Sequence, residues 1–443
     1  MTLSSTLRHL FSSRWFDLRR QLPGQDRFGK YAVSLLLAAP AGEALTVGIF
    51  RTYRGSSSDR YDAEQTSIML FDPDIPGRVS KIRRGSFRMR IAQIAPLYEA
   101  VPPRLYGGTE RVVSFLTEEL VALGHDVTLF ASGDSVTDAE LEAVWPQALR
   151  LDGSVRDQHA PHMLMLEAVR RRASEFDVLH FHVDYSPFSL FSRQATPFVT
   201  TLHGRLDLPE LAPIFRAFPN VPVVSISDSQ RRPLPAARYA GTVLHGLPAG
   251  LLMPQERVKP DYLAFLGRIA PEKGPDHAIR IARACGIPLK IAAKVDTADQ
   301  CYFDSVIRPM LAGGGVEMVG EISDTQKPAF LSGAAALLMP IMWPEPFGLV
   351  IIEAMACGTP VIAFNRGSVP EIIENGVTGY IVDDEAGAIA AVSGLAHLSR
   401  KRVRAEFMAR FTARRMAQDY LTIYRRLARQ RGEPSAALLE AAD

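Results

Sequence analysis

The chain has 443 residues, too many for one ordinary hydrophobic core, and this length predicts two domains. Apolar residues make up 47% and charged residues 22%, proportions typical of a folded soluble protein. The formal net charge of +2 excludes a general polyanion-binding role, so we expect no nucleic-acid partner. Three cysteines without a Cys-x-x-Cys pair indicate neither a disulfide framework nor a zinc ribbon, and they favour a reducing, cytoplasmic location.

Residues 1–88 show no sustained periodicity and contain turn-rich polar stretches such as RGSSSDRYD. The apolar stretch YAVSLLLAAPA, residues 31–41, looks faintly like a signal peptide, but it is broken by Pro40 and is too short to span a bilayer. We therefore predict that residues 1–88 are a poorly ordered or non-native leader, with translation beginning at or near Met89, or that they form an appendage to the protein. A peripheral contact at the inner face of a membrane is the alternative for this segment.

From Met89 the pattern becomes a regular alternation of strands and helices. The helix between the first two strands carries apolar residues at helical spacing and ends at Gly124, a typical C-cap glycine. Such βα alternation predicts a parallel, doubly wound sheet over residues 89–250. The candidate strands are Arg90–Ala95, Asp126–Ala131, Asp177–His182, Phe198–His203 and Val221–Ser227.

A second βα series begins near Asp261 and predicts a second Rossmann-like domain over residues 251–400. A linker is expected between Gly246 and Pro260, an amphipathic helical segment over residues 401–430 and a tail over residues 431–443. The six candidate strands read YLAFLGR, PLKIAAK, VEMVGE, ALLMPI, PVIAF and GYIVDD.

Two motifs in the first βα series could contact a ligand. Gly107 and Gly108, in LYGGTERVV, stand between a strand and a helix, where glycine lets the backbone approach a ligand and the helix start offers free amides. A tight structural turn explains the same pair equally well. His203, in TLHG, ends a strand, and strand ends line the crevice of open α/β sheets. A lone histidine there is nevertheless more often structural.

A metal site at His180, His182 and Asp184 is a further hypothesis, because these residues share one face of a strand. A buried strand with polar ends explains them better, since no other ligand motif accompanies them. We therefore predict no metal site.

Two segments of the second series contain charged residues that could bind a substrate. In GRIAPEKG, Arg268 and Lys273 flank a turn after a strand and would suit a diphosphate, although a solvated basic loop is the alternative. In PIMWPEPFGLVIIEAMACGTPVIAF, Glu345 precedes a helix and Glu353 lies within it, eight positions later. Carboxylates in such apolar surroundings need partners, for which sugar or ribose hydroxyls are suitable.

The Glu-x7-Glu element and AMACGTPVIA, together with GRIAPEKG, YGGTERVV, TLHG and the terminal FTARRMAQDYLTIYRRL, closely resemble the family-four glycosyltransferases. The resemblance covers roughly residues 89–430. It implies the GT-B fold, in which two Rossmann-like domains face each other across a cleft. It also implies a hexosyltransferase-type enzyme that needs no metal, has no cofactor other than its nucleotide diphosphate sugar co-substrate, and retains the anomeric configuration.

The resemblance also implies roles for single residues. Arg268 and Lys273 match the cations that hold the donor diphosphate, Glu345 matches the acid at the donor sugar, and Glu353 matches the acid at the ribose. The catalytic candidates are His203, Arg268, Lys273 and Glu345. The donor-binding candidates are Gly107, Gly108, Arg268, Lys273, Lys294, Glu345, Phe347, Gly348, Leu349 and Glu353.

Two positions depart from the family pattern. Many relatives have a glycine-rich turn where this chain has Ala292-Ala293-Lys294, and an asparagine is common where it has His245. Lys294 would add a cation at the donor site or be merely solvated. An Asp-x-Asp pair occurs only at Asp72 and Asp74, outside the matched region.

The expected partners are a UDP- or GDP-sugar donor and a saccharide or lipid-linked acceptor. Two alternatives stay open. One is an epimerase or hydrolase that acts on the nucleotide sugar without a second sugar, and the other is a non-catalytic protein that binds nucleotide sugars. A nicotinamide dehydrogenase is less well supported, because the G-x-G-x-x-G fingerprint is missing.

Overall fold

The computed structural model describes residues 88–104, 107–255 and 258–430, together with four strands between residues 31 and 82. The chain divides into two compact units, Met1–Phe87 and Arg88–Asp443. The predictions made for Leu105, Tyr106, Asp72, Asp74 and the tail after residue 430 concern residues outside this description.

The first unit contains an antiparallel sheet that sequence analysis did not predict. Its strands pair in chain order and are β1 Tyr31–Ala38, β2 Leu45–Thr52, β3 Thr66–Phe71 and β4 Val79–Ile82. The run that looked like a signal-peptide core is β1. The period-two alternation of Leu45, Val47 and Ile49 is too short to stand out as a strand pattern in a polar, turn-rich context.

The second unit begins with a seven-stranded parallel sheet in the order β11-β10-β9-β8-β5-β6-β7. Its strands are β5 Arg90–Ile94, β6 Asp126–Ser132, β7 Glu140–Trp145, β8 Val178–Phe181, β9 Phe198–Thr201, β10 Val223–Ser225 and β11 Tyr239–Thr242. Its helices are α1 Gly108–Ala122, α2 His159–Arg172, α3 Phe188–Phe191, α4 Leu211–Ala217 and α5 Asp228–Arg231.

Most of these strands could be predicted from the sequence because they are buried. Every residue of β8 and of β9 is buried, as parallel strands covered by helices on both faces require. Helix α1 ends as predicted, with Gly124 in a left-handed conformation at φ 87° directly after the C-cap. The sheet of this half therefore presents the carboxyl ends of β5 and β8 side by side.

The second half has a six-stranded parallel sheet in the order β14-β13-β12-β15-β16-β17, the order of dinucleotide-binding folds. Its strands are β12 Tyr262–Arg268, β13 Leu289–Lys294, β14 Val316–Gly320, β15 Ala334–Met339, β16 Val361–Phe364 and β17 Gly379–Val382. Its longer helices are α6 Pro275–Cys285, α9 Lys327–Ser332, α10 Leu349–Ala356 and α12 Glu385–Gly394. Short helical turns α7 Gln300–Tyr302, α8 Arg308–Leu311 and α11 Val369–Ile372 complete it.

The terminal segment is two helices rather than one, α13 Arg400–Arg410 and α14 Ala413–Gln430. The chain breaks between them because backbone groups of Phe411 and Ala413 pair with Leu247 instead of with a helical turn. Helix α14 packs against α1 and β8 of the first half, where Tyr420 and Tyr424 are fully buried. The end of the chain thus contributes to the first half of the second unit.

Within the part of the chain that the structure describes, no helix combines the length and the apolar character needed to cross a membrane.

Candidate active site

One cleft of about 800 Å³ lies between the two halves of the second unit. Each sheet reverses its strand order beside its first strand, at β5 and β8 in one half and at β12 and β15 in the other. Ligands of open α/β sheets bind outside the carboxyl ends of the strands at such a reversal. All the candidate residues line this cleft: Gly107, Gly108, His203, Arg268, Lys273, Lys294, Glu345, Phe347, Gly348, Leu349 and Glu353.

The glycine pair brings the two halves close together. A Cβ atom at Gly107 would lie 2.8 Å from the Cβ atom of Pro103, so only glycine fits there. A Cβ atom at Gly108 would lie 3.7 Å from Leu349 of the opposite half. The start of α1 therefore lies against the start of α10, and at Gly107 the contact with Pro103, four residues earlier, agrees with a tight structural turn.

Two cations at the ends of β12 and β13 are held by acids. Arg268 is paired with Glu272, and its Nη1 lies 3.2 Å from Asp299 Oδ2. Lys294 Nζ lies 2.9 Å from Asp296 Oδ1, and its side chain is 38% exposed. These carboxylates neutralise the cations, so an anion that entered the cleft would compete with them.

Lys273 and Glu345 form the centre of the site. Lys273 Nζ donates to Glu345 Oε2 at 2.6 Å, and Trp343 Nε1 donates to the same oxygen at 2.9 Å. The ammonium also lies 5.0 Å from the centre of the Trp343 ring, within cation–π range. Sequence analysis did not single out Trp343, although it lies inside the quoted motif. Oε2 is therefore occupied, and Glu345 Oε1 has no hydrogen-bond partner among the described residues.

Glu353 belongs to a buried charge network that sequence analysis missed. Its Oε1 accepts from Lys327 Nζ at 2.8 Å and lies 3.3 Å from Nη2 of Arg111, which belongs to the opposite half. Asp324 completes the network, 2.6 Å from Arg111 and 3.2 Å from Lys327. The two neighbouring cations lower the pKa of Asp324 despite its partial burial. Glu353 therefore also ties the two halves together, a function that the motif alone does not indicate.

The loop before α10 is shaped for close contact. The helix begins at Leu349, and Gly348 precedes it with φ 83°. Phe347 is buried against the edge of His245, with ring centroids 4.8 Å apart. Ser227 of the first half donates to the carbonyl of Pro346 at 2.6 Å. The free amides at the start of α10 thus face the cleft at a fixed position.

His203 contacts two other histidines of the first half, His182 and His245. Its Nε2 lies 2.9 Å from His182 Nδ1, and its ring stacks on His245 with centroids 5.4 Å apart. Burial lowers the pKa of His203 to about 3, so the ring is neutral at ordinary pH. His180 and His182 are themselves buried and hydrogen-bonded within the sheet. In the described ranges no group of three or more His, Cys, Asp or Glu side chains is arranged to hold a metal ion.

Glu110 is a cleft residue that sequence analysis passed over. It follows the glycine pair in α1 and is only 5% exposed, and burial raises the pKa of its carboxyl to about 7. Part of this rise in pKa is offset by three groups: the backbone amide of Glu110 itself, Arg150 and the backbone amide of Glu99. The TERVV motif could have identified this acid, because it lies in the first turn of the helix behind the glycines.

We expect Glu110→Gln to stabilise the protein at high pH. Because folding raises the carboxyl pKa from 4.5 to about 7, the stability that Glu110 provides is complete below the lower value and is lost as the pH rises through the higher one. Over this range the variant should gain about 3 kcal/mol relative to the native chain. Urea unfolding at low and high pH measures the difference. Glu119→Gln, on the same helix but more exposed, is the control. If the free energies of unfolding of the variant and the native chain differed by the same amount at low and high pH, the raised pKa of Glu110 would be contradicted.

Two family models match adjoining parts of the chain. The model described as Glycosyltransferase Family 4 matches residues 106–273, and the model described as Glycosyl transferases group 1 matches residues 254–414. Together they span both halves of the cleft and all the candidate residues.

Curated relatives cover most of the second unit. A glycogen synthase of Mycobacterium tuberculosis is 26% identical over 76% of this chain and 95% of its own length. A phosphatidyl-myo-inositol mannosyltransferase of Mycolicibacterium smegmatis is 26% identical over 76% of this chain and 91% of its own length. The second of these relatives is a glycosyltransferase by name.

Solved structures agree on the fold. The sucrose-phosphate synthase of Thermosynechococcus elongatus has a TM-score of 0.65 at 20% identity, covering 77% of this chain and 99% of its own. The Anabaena protein HepE, solved with UDP-glucose, has a TM-score of 0.58 at 18% identity, covering 77% and 99%. The sequence motifs, the two facing parallel sheets and these matches agree, and the chain belongs to the family-four glycosyltransferases with the GT-B fold.

Proposed function

We propose that this glycosyltransferase moves a sugar from a UDP- or GDP-sugar to an acceptor hydroxyl, with retention at the anomeric carbon and without a metal ion. The observation that supports this best is the meeting of Arg268, Lys273 and Glu345 at the strand reversal of the second sheet, opposite His203. Cations at this point suit a diphosphate, and the acid beside them suits a sugar hydroxyl.

In this proposal the diphosphate displaces carboxylates from Arg268 and also binds Lys273. Arg268 would exchange Glu272 and Asp299 for phosphate oxygens. Lys273 has three donors and could contact phosphate while it holds Glu345. As the bond to the sugar breaks, negative charge grows on the leaving diphosphate. These cations and the amides at the start of α10 would stabilise that charge.

Glu345 would bind the sugar and Glu353 the ribose. Neither acid is proposed as a nucleophile, because each already accepts from one or more cations. The acceptor hydroxyl would instead attack on the face from which the diphosphate leaves, which gives retention, and the phosphate would take its proton. Catalysis then depends on orientation and on charge stabilisation.

The donor and acceptor classes are part of the proposal. HepE was solved with UDP-glucose, so this is the first donor to test. The two relatives bear the names of a glycogen synthase and a phosphatidyl-myo-inositol mannosyltransferase, which supports a saccharide or lipid-linked acceptor. We place the reaction in the cytoplasm, with an acceptor that is free or presented at a membrane surface.

A donor panel with and without chelator tests this function. The full chain is incubated with UDP- and GDP-sugars in EDTA, and release of the nucleotide diphosphate is followed with and without candidate acceptors. We expect release from one donor that survives EDTA and accelerates with an acceptor, and a glycoside with the anomeric configuration of the donor by proton NMR. Loss of activity in EDTA that Mn²⁺ restores, or an inverted product, would contradict the proposal.

A further inference from the structure

A chain of buried hydrogen bonds leads from helix α14 to His203. Tyr424 Oη accepts from Gln93 Nε2 at 3.1 Å, Gln93 Oε1 lies 2.9 Å from His182 Nε2, and His182 Nδ1 lies 2.9 Å from His203 Nε2. Gln93 and Tyr424 are fully buried and His182 is 3% exposed. A buried polar network of this kind is tolerated because its members satisfy one another.

A second arm of the network anchors the same helix. Tyr424 Oη lies 2.6 Å from His180 Nδ1, His180 Nε2 lies 2.7 Å from Thr201 Oγ1, and Thr201 Oγ1 lies 2.9 Å from Tyr420 Oη. This arm holds α14 against the sheet without touching His203. Two series of hydrogen bonds therefore begin at Tyr424. The first arm, through Gln93 and His182, reaches the cleft at His203, and the second arm, through His180 and Thr201, does not.

The donors along the first arm can be assigned in order. Gln93 Oε1 can only accept, so His182 Nε2 carries a proton. Burial lowers the pKa of His182 well below its usual range, so the ring is neutral and its Nδ1 has a lone pair. His203 Nε2 must then donate to that lone pair. Because His203 is also neutral, its Nδ1 carries a lone pair as well.

The free nitrogen of His203 belongs to the cleft. Among the residues that the structure describes, no hydrogen bond reaches His203 Nδ1, and the ring lines the same cleft as Phe347 and Glu345. A lone pair at this position can accept from a hydroxyl but cannot donate to a carbonyl or a phosphate. The tautomer therefore decides which substrate group His203 recognises.

We propose that His182 is a positioning residue: held by Gln93 and Tyr424, it fixes His203 as the Nε2–H tautomer, so that Nδ1 accepts a hydrogen bond from a substrate hydroxyl. This inference rests on the proposed function for the identity of the substrate. It assigns to the carboxyl-terminal helix a part in substrate recognition, through a residue that does not itself touch the reacting atoms.

The first readout uses the full chain without any ligand, labelled with ¹⁵N-histidine. We expect the His203 resonances to show one neutral Nε2–H tautomer between about pH 5 and pH 8. In His182→Leu the acceptor is gone, and both tautomers should appear. An Nδ1–H tautomer in the native chain, or no change in the variant, would overturn the proposal. If no nucleotide sugar is consumed in the donor panel, the proposed function is wrong, but the measured tautomer of His203 is unaffected.

The second readout separates positioning from stability. We expect His182→Leu to lower single-turnover transfer roughly tenfold and to leave the affinity for free UDP within about twofold, as loss of one hydrogen bond to the sugar predicts. His182→Asn, whose side-chain oxygen can accept from His203 Nε2, should recover most of the rate. If His182→Leu does not fold, Gln93→Leu removes the acceptor of His182 Nε2 in the first arm only and should also mix the tautomers.

Thr201→Val is the control, because it damages the second arm only. It should lower the melting temperature and leave the His203 tautomer and the transfer rate unchanged. If His182→Leu had the same effects as Thr201→Val, the network would serve only to anchor α14, and the proposal would be wrong.

Discussion

Replacing Lys273 with alanine should lower sugar transfer by at least about a hundredfold, because in the proposed mechanism one ammonium binds both the diphosphate and Glu345. A hydrogen bond to a charged group contributes about 1.5–3 kcal/mol, and the variant would lose its bond to Glu345 together with the proposed bond to phosphate. It also leaves Glu345, which is 9% exposed, with Trp343 as its only donor among the described residues. Single-turnover rates with saturating donor measure the effect.

Lys290→Ala is the matched control for this prediction. Lys290 lies on β13 of the same half, pairs with Glu317 at 3.3 Å and packs on the Tyr262 ring, but it is outside the cleft. Its loss should leave transfer unchanged. Equal rates for the native chain and Lys273→Ala would remove Lys273 from the donor site.

Glu353→Gln should destabilise the protein by about 3 kcal/mol or more, because removing one member of a buried ion pair leaves an uncompensated charge. The network has two cations, Lys327 and Arg111, and two acids, Glu353 and Asp324. The glutamine is isosteric but neutral, so both cations would share Asp324. The free energy of unfolding in urea measures the loss.

The double variant Lys327→Met, Glu353→Leu separates the two functions of Glu353. It keeps Arg111 and Asp324 as a balanced pair at 2.6 Å, and buried pairs are often replaced by apolar residues at little cost. Stability should largely recover, whereas the affinity for the free nucleotide should stay low if Glu353 also binds ribose. Full recovery of nucleotide binding would make Glu353 purely structural.

The main architecture was predictable because both halves consist of buried parallel strands. Continuous apolar runs such as Ala334–Met339 and Val361–Phe364 are easy to recognise, and they were placed to within a few residues. Two edge strands, Glu140–Trp145 and Tyr239–Thr242, were missed because neither is fully buried and neither carries such a run. The carboxyl ends of the strands then brought Arg268, Lys273 and Glu345 together as expected.

The partners of the site residues could not be predicted in the same way. Glu353 is held by Arg111 from the opposite half, and His203 by a network that ends at Tyr424 near the end of the described chain. Each of these contacts joins elements far apart in sequence, and no periodicity or local motif specifies which side chains meet across a cleft. Sequence patterns located the chemical groups, and only the fold shows what holds them in place.

Calorimetric titration of the native chain and of Lys273→Ala with UDP and with GDP tests the central claim most directly, since it asks only whether this cleft binds the nucleotide of a sugar donor. We predict that one of the two nucleotides binds the native chain at one site, and that Lys273→Ala weakens this binding by roughly ten- to hundredfold. If neither nucleotide bound, or if the bound nucleotide were insensitive to Lys273, the cleft would not be the donor site described here.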